Sequence, residues 1–156
     1  MPVKLMVNGK VRQLTTDPAT ALIFALRNEL NLMGAKLGCG SAQCGSCVVL
    51  ADGEPIYSCT TPIADVAGKQ IETTEGLFTK EGPHPIQQAF LEENAAQCGY
   101  CLSGIIMRTK ALLHDDPAPA RQAIKEALDP HLCRCGAHPR IIRAIERAAT
   151  ALREGA

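Results

Sequence analysis

Gly38-Cys39-Gly40-Ser41-Ala42-Gln43-Cys44-Gly45-Ser46-Cys47 is the stretch on which the reading of this chain turns. With Cys59 it reads C-x4-C-x2-C-x11-C. The other four cysteines, Cys98, Cys101, Cys133 and Cys135, read C-x2-C-x31-C-x-C. The eight cysteines of the chain are thus used up by two sets of four, with none left over.

The first spacing is the plant-type pattern for a [2Fe–2S] cluster, in which four thiolates hold two irons. The second is four more thiolates in two close pairs. Two plainer readings compete. Disulfide frameworks belong to short secreted chains without a core. This chain is 46% apolar, and Met1-Pro2-Val3-Lys4-Leu5 opens directly on an alternating strand pattern, with no leader-like segment. Structural zinc suits Cys98, Cys101, Cys133 and Cys135 better than the first set. The gap between Cys39 and Cys44, flanked by Gly38, Gly40 and Gly45, suits a loop wrapped round something larger than one ion. A cluster held by four thiolates carries excess negative charge, so its loop must turn N–H dipoles inward. Residues without a Cβ allow that approach. Gly99 and Gly136 have the same expected part in the second set. Such hydrogen bonds help to set the potential, near about −400 mV for plant-type centres.

Composition bounds the rest. Sixteen basic and sixteen acidic residues cancel, which argues against nucleic acid and anionic membrane as partners. No apolar run approaches the roughly 20 residues of a membrane span. With no tryptophan and five Phe and Tyr residues, platforms for stacking bases or sugars are not expected. The chain is expected to be soluble, and cytoplasmic for want of its own signal. Export inside a folded complex, led by a signal-bearing partner, is the alternative.

The pattern predicts an α+β fold: a β-grasp ferredoxin-like domain over residues 1–79, then a four-helix bundle over 80–156. Val3, Leu5 and Val7 alternate, Asn8-Gly9 is a hairpin turn, and Val11 begins the return strand. Thr16-Asp17-Pro18 predicts a helix start, with Leu22, Ile23, Leu26 and Leu30 on one face. Val48-Val49-Leu50, the turn Asp52-Gly53 and Ile56-Tyr57-Ser58 form a hairpin that returns Cys59 to Cys47. Ile71-Glu72-Thr73-Thr74 predicts another strand. Lys80-Glu81-Gly82-Pro83-His84-Pro85 marks the boundary.

Four helices follow, marked by Ile86, Ala89 and Phe90; by Leu102, Ile105, Ile106, Thr109, Leu112 and Leu113; by Ile124, Ala127 and Leu128; and by Ile141, Ile145, Ala148, Ala149 and Leu152. Asp115-Asp116-Pro117 is expected to end the second and cap the third, and Pro139 to open the fourth. The x31 gap is then two helices out and back, which brings the cysteine pairs to one end of the bundle. His84, His114, His131 and His138 read as surface or capping residues. Arg134 either offsets cluster charge or faces solvent.

These motifs, with Gln97-Cys98-Gly99-Tyr100-Cys101, Leu132-Cys133-Arg134-Cys135-Gly136, Val7-Asn8-Gly9-Lys10 and Thr74-Glu75-Gly76-Leu77, resemble the iron–sulfur subunit of the molybdenum hydroxylases. That is the xanthine oxidase and aldehyde oxidoreductase family. The CRCG form and Arg140-Ile141-Ile142 look most like small subunits of isoquinoline-, nicotinate- or aldehyde-oxidising dehydrogenases. The resemblance implies two [2Fe–2S] clusters and electron transfer. Cys39, Cys44, Cys47 and Cys59 would hold one cluster, and Cys98, Cys101, Cys133 and Cys135 the other. It implies a large partner subunit that holds a molybdopterin cofactor and oxidises an aldehyde or N-heteroaromatic substrate. Gln97 and Cys135 match positions that contact the pterin, and a flavin subunit or cytochrome c would accept the electrons. Relatives commonly carry a tyrosine where this chain has Gly136-Ala137-His138, so no role is assigned to His138. A free-standing ferredoxin shuttle and a zinc-stabilised interaction module are the rival readings.

Overall fold

The computed structural model describes residues 3–155. Met1 and Pro2, at the head of the expected first strand, and Ala156 lie outside the described residues. Val3–Val7 (β1) and Lys10–Leu14 (β2) form an antiparallel hairpin in which Val7 pairs with Lys10. Asn8 (φ 50°) and Gly9 (φ 73°) supply the two left-handed residues that a two-residue hairpin turn requires.

The helix expected to start at Thr16-Asp17-Pro18 begins later. It runs over Leu22–Phe24 (α1) and widens at once into a π-turn at Ala25–Glu29. Asp17 instead makes a local turn, its carboxylate accepting the Ala19 N–H at 2.9 Å. The delay has a tertiary cause. Ala21 bridges to Pro62, and the first helical N–H groups, of Leu22 and Ile23, donate to the carbonyls of Thr61 and Ser58. Glu29 reaches back to the N–H and hydroxyl groups of both Thr15 and Thr16. The Thr16 hydroxyl first, then the Thr15 amide, hold its carboxyl down at about 2.

Val48–Ala51 (β3) and Glu54–Tyr57 (β4) form the second hairpin, turned by Asp52 (φ 51°) and Gly53 (φ 88°). The last strand, Gln70–Glu72 (β5), is shorter than expected, because Thr74–Leu77 closes into a 3₁₀ turn. It lies parallel to β1 and antiparallel to β3, giving the sheet order β2-β1-β5-β3-β4. Leu5, Val7, Leu14, Leu22, Ile23, Leu26 and Ile71 pack between sheet and helix, with Leu30 half-buried at the edge. This is the expected ferredoxin-like β-grasp.

The four expected helices are Pro85–Glu92 (α2), Leu102–Asp115 (α3), Arg121–Leu128 (α4) and His138–Glu154 (α5). His84 caps α2 through a reciprocal pair: its ring accepts the Ile86 N–H at 3.2 Å, and Gln87 accepts the His84 N–H at 3.1 Å. Asp116 ends α3 but does not cap α4. Its carboxylate accepts the Ala118 N–H, and α4 starts after Ala120 with no side-chain cap. Helix α2 lies along α5, where Glu93 pairs with Arg143 and Arg147.

One strand serves both halves. All four residues of β3 are buried. Val49 and Ala51 join the ferredoxin-like core, while Val48 and Leu50 join the helical core with Ile105, Met107, Ile124 and Ile141. Helix α3 packs directly on β3. Burying an aliphatic side chain of this size contributes about 1.5–3 kcal/mol, so this shared face fixes one half against the other. Among the described residues, no helix is long and apolar enough to cross a membrane.

Candidate metal centres

The first thiol set is built almost entirely by one loop. Ser41, Gln43 and Cys44 donate their N–H groups to Cys39 Sγ at 3.4, 3.3 and 3.4 Å, and Cys39 N–H donates to Cys44 Sγ at 3.3 Å. The turn that aims them needs left-handed residues at Gly40 (φ 68°), Ala42 (φ 56°) and Gly45 (φ 74°). Gly38 has a different part from the one expected: a Cβ there would stand 2.6 Å from Cys44 Sγ, so its need is close approach. The β3–β4 hairpin returns Cys59 to the side of Cys47.

The second set comes from two connections of the bundle. Cys98 and Cys101 lie between α2 and α3, and Cys133 and Cys135 between α4 and α5. All four line one crevice with Gln97, as the out-and-back reading of the x31 gap requires. Cys98 lies beside Cys135, and Cys101 beside Cys133. Ala137 N–H donates to Cys133 Sγ at 3.4 Å, and the backbone of Tyr100 bonds Cys98. Gly99 (φ 80°) and Gly136 (φ 70°) turn these two corners.

Hydrogen bonds and burial divide the thiols electrostatically. The Ser41 hydroxyl, with the amides of Ser41, Gln43 and Cys44, holds exposed Cys39 at about 6, already favouring the thiolate a metal needs. Burial pushes Cys47 and Cys101 up to about 12. Those two require a compensating positive charge before they lose their protons, which bound iron would supply.

The donor arrangement fits two irons better than one ion. Among the described residues, no three His, Cys, Asp or Glu side chains close on a point of single-ion size. The thiols gather in pairs instead: Cys47 lies with Cys59, Cys98 with Cys135 and Cys101 with Cys133, while Cys39 and Cys44 each donate a backbone N–H to the other's sulfur. Two pairs per set match a [2Fe–2S] core, whose irons each take two protein sulfurs.

The sets are neighbours. A groove of about 230 Å³ is lined by Cys39 and Cys44 from one and Cys98, Cys101 and Cys133 from the other. Leu132 N–H donates to the Cys44 carbonyl at 3.0 Å, and Tyr100 Oη–H donates to the Leu37 carbonyl at 2.7 Å. Gly104 of α3 sits against Gly45, where a Cβ would overlap the Gly45 carbonyl. Gln97 is exposed at the rim of the second set and Cys135 is half-buried there. Arg134 is exposed. His131 departs from expectation: it is 3% exposed, packed on Gly45 of the first loop, and burial pushes it down to about 4. No periodicity marks a lone histidine as a wedge between two loops, so the sequence carried no signal for it.

The fold and its paired thiols define an electron-carrying iron–sulfur protein with two cluster sites. Residues 5–75 match the family described as 2Fe-2S iron-sulfur cluster binding domain, and residues 73–146 the [2Fe-2S] binding domain. One of the nicotinate dehydrogenase subunits of Pseudomonas putida is 49% identical over 152 residues, covering 97% of each chain. Quinoline 2-oxidoreductase from Pseudomonas putida 86 superposes with a TM-score of 0.94 at 38% identity, over 99% of this chain and 97% of that one. Aldehyde oxidoreductase from Desulfovibrio gigas gives a TM-score of 0.94 at 34% identity, over all of this chain but 18% of that one. This chain belongs to the family of iron–sulfur subunits of the molybdenum hydroxylases. It is an electron-transfer subunit of that type and not a free-standing ferredoxin.

Proposed function

We propose that this chain relays electrons from a molybdopterin-bearing catalytic subunit, entering at the thiols of Cys98, Cys101, Cys133 and Cys135 and leaving at those of Cys39, Cys44, Cys47 and Cys59. The observation that carries this is the gathering of the eight thiols into two adjoining sets that share one groove. When bound, a [2Fe–2S] core supplies one-electron storage at each set. The chain's own residues supply the rest. Backbone amides at Ser41, Gln43, Cys44 and Ala137 stabilise negative sulfur, and the Leu132 to Cys44 hydrogen bond holds the two sets in contact.

The openness of the second set supports its role as the entry. Its members are exposed or half-buried, so a partner's cofactor can reach them. Gln97 offers both a donor and an acceptor at that rim, matching the mixed polar edge of a pterin, with Cys135 beside it. In the aldehyde oxidoreductase this unit is under a fifth of one chain, which favours a large catalytic partner here. Relatives named for nicotinate and quinoline favour an N-heteroaromatic or aldehyde substrate on that partner. A flavin subunit or cytochrome c is the acceptor of this reading. We place the division between the two units at residues 79 and 80, within the tight Thr79–Gly82 turn and next to where the family matches meet.

Anaerobic purification followed by iron, sulfide and zinc analysis tests the assignment. About four irons and four labile sulfides per chain are expected. Stoichiometric zinc with little iron would end the redox reading.

A further inference from the structure

His131 is a buried polar residue that the electron-transfer reading leaves unused. Its ring lies against the Cα of Gly45, between the ligand positions Cys44 and Cys47, where a Cβ would stand 2.7 Å from the ring Cγ and 2.8 Å from Cε1. Its Nδ1 is buried with no hydrogen-bond partner. A buried nitrogen left unsatisfied is a cost to the fold, which the packing of the ring offsets. What it does is fill a slot. The backbone on either side is tied down: His131 N–H donates to the Leu128 carbonyl at 2.8 Å, and the His131 carbonyl accepts from His138 Nε2 at 2.9 Å. The next amide, Leu132 N–H, reaches the Cys44 carbonyl at 3.0 Å. Cys133 follows directly. A flat ring is thereby pinned to the second thiol loop and pressed against the first.

We propose that His131 is a positioning residue for electron transfer between the two sets, its ring acting as a spacer that fixes how closely the Cys44 and Cys133 loops approach. The proposal rests on both sets holding clusters. Glycine at 45 is the other half of the device, since any side chain there would drive the ring and the second loop away. With the ring removed, the loops relax partly into the vacated volume and the separation ceases to be single-valued. Ring shape is the requirement, so phenylalanine is the conservative replacement.

The test uses the cluster-loaded chain, fully reduced with dithionite, and reads the magnetic splitting that each paramagnetic cluster imposes on the other. Iron content and the two separate signals are recorded for every variant. His131→Ala is expected to keep about four irons and both signals. Its splitting should grow and broaden, because partial collapse into the cavity brings the loops closer over a range of separations, while His131→Phe keeps the wild-type splitting. If His131→Ala sheds iron, His131→Phe with full iron and wild-type splitting still supports the spacer. Wild-type splitting in His131→Ala overturns it, as does loss of iron or altered splitting in His131→Phe. A wild-type chain lacking two iron–sulfur signals would sink the cluster reading itself, a separate outcome.

Discussion

The two thiol sets solve one chemical problem by different routes. The first is local: ten consecutive residues, one hairpin return, and four N–H bonds to sulfur from within the loop itself. Three of its four cysteines are buried. The second is assembled from two helix connections, and none of its cysteines is fully buried. A site made by one loop carries its own insulation. A site made at the end of a bundle depends on helices for its geometry and leaves one side open. The difference matches the proposed direction of flow, with the open set facing a partner's cofactor.

The sharpest way to break the comparison is to remove one ligand from each site. Cys44→Ser is expected to halve the iron and abolish mainly one paramagnetic signal, and Cys101→Ser the other. Loss of both signals from either variant in a folded protein would mean that the sets are one unit. Next in size is Gly104→Ala. Its Cβ would overlap the Gly45 carbonyl, so α3 must shift from the first loop at a cost of about 1–3 kcal/mol. A lowered midpoint of thermal unfolding with both signals broadened is expected. An unchanged midpoint would show that loop and helix are not in register as described.

Gln97→Ala sharpens the contrast on the open side. In the assembled complex it should slow substrate-driven reduction by about tenfold, the worth of one good hydrogen bond, and leave dithionite reduction and iron content intact. Rapid-mixing absorbance decides it, and unaltered kinetics would remove Gln97 from the contact. The smallest effect is at the start of the bundle. Burial first, then the Lys110 charge, depress His84, which must be neutral for its ring to accept the Ile86 N–H. Because its folded pKa lies below the ordinary imidazole value of 6.5, protonation favours the unfolded state. The cap is therefore complete above that value and weakens as pH falls below it, by at most about 1 kcal/mol. Protection of the Ile86 and Gln88 amides, taken relative to their intrinsic exchange rates, should fall accordingly between neutral pH and the mildly acidic range. His84→Ala should flatten that dependence.

The same contrast explains what could be read from residues alone. Turns at Asn8-Gly9 and Asp52-Gly53, four amphipathic helices and the close cysteine spacings were legible, because each is declared by neighbours a few positions away. The parallel pairing of β5 with β1 was not, since Gln70-Ile71-Glu72 carries one apolar residue and no spacing rule names its partner. Nor was the late start of α1, where Thr61 and Ser58 carbonyls from a distant turn override a good local signal at Asp17. Asp116 likewise satisfied a nearby amide before it could reach the next helix. Within the site, cysteines and glycines announced themselves. His131 did not, because a residue that works by shape leaves no pattern.

Strand β3 also sets an order of events in the cell. Val48 and Leu50 need the helical half to cover them, yet α3 begins at Leu102. During synthesis at about 5–20 residues per second, those roughly 50 intervening residues take some seconds to appear. Through that interval the nascent sheet shows an uncovered apolar face beside an open cysteine loop. The growing chain is thus most vulnerable to sticking and to thiol oxidation before its second half exists. A clipped N-terminal half would leave Val48 and Leu50 bare.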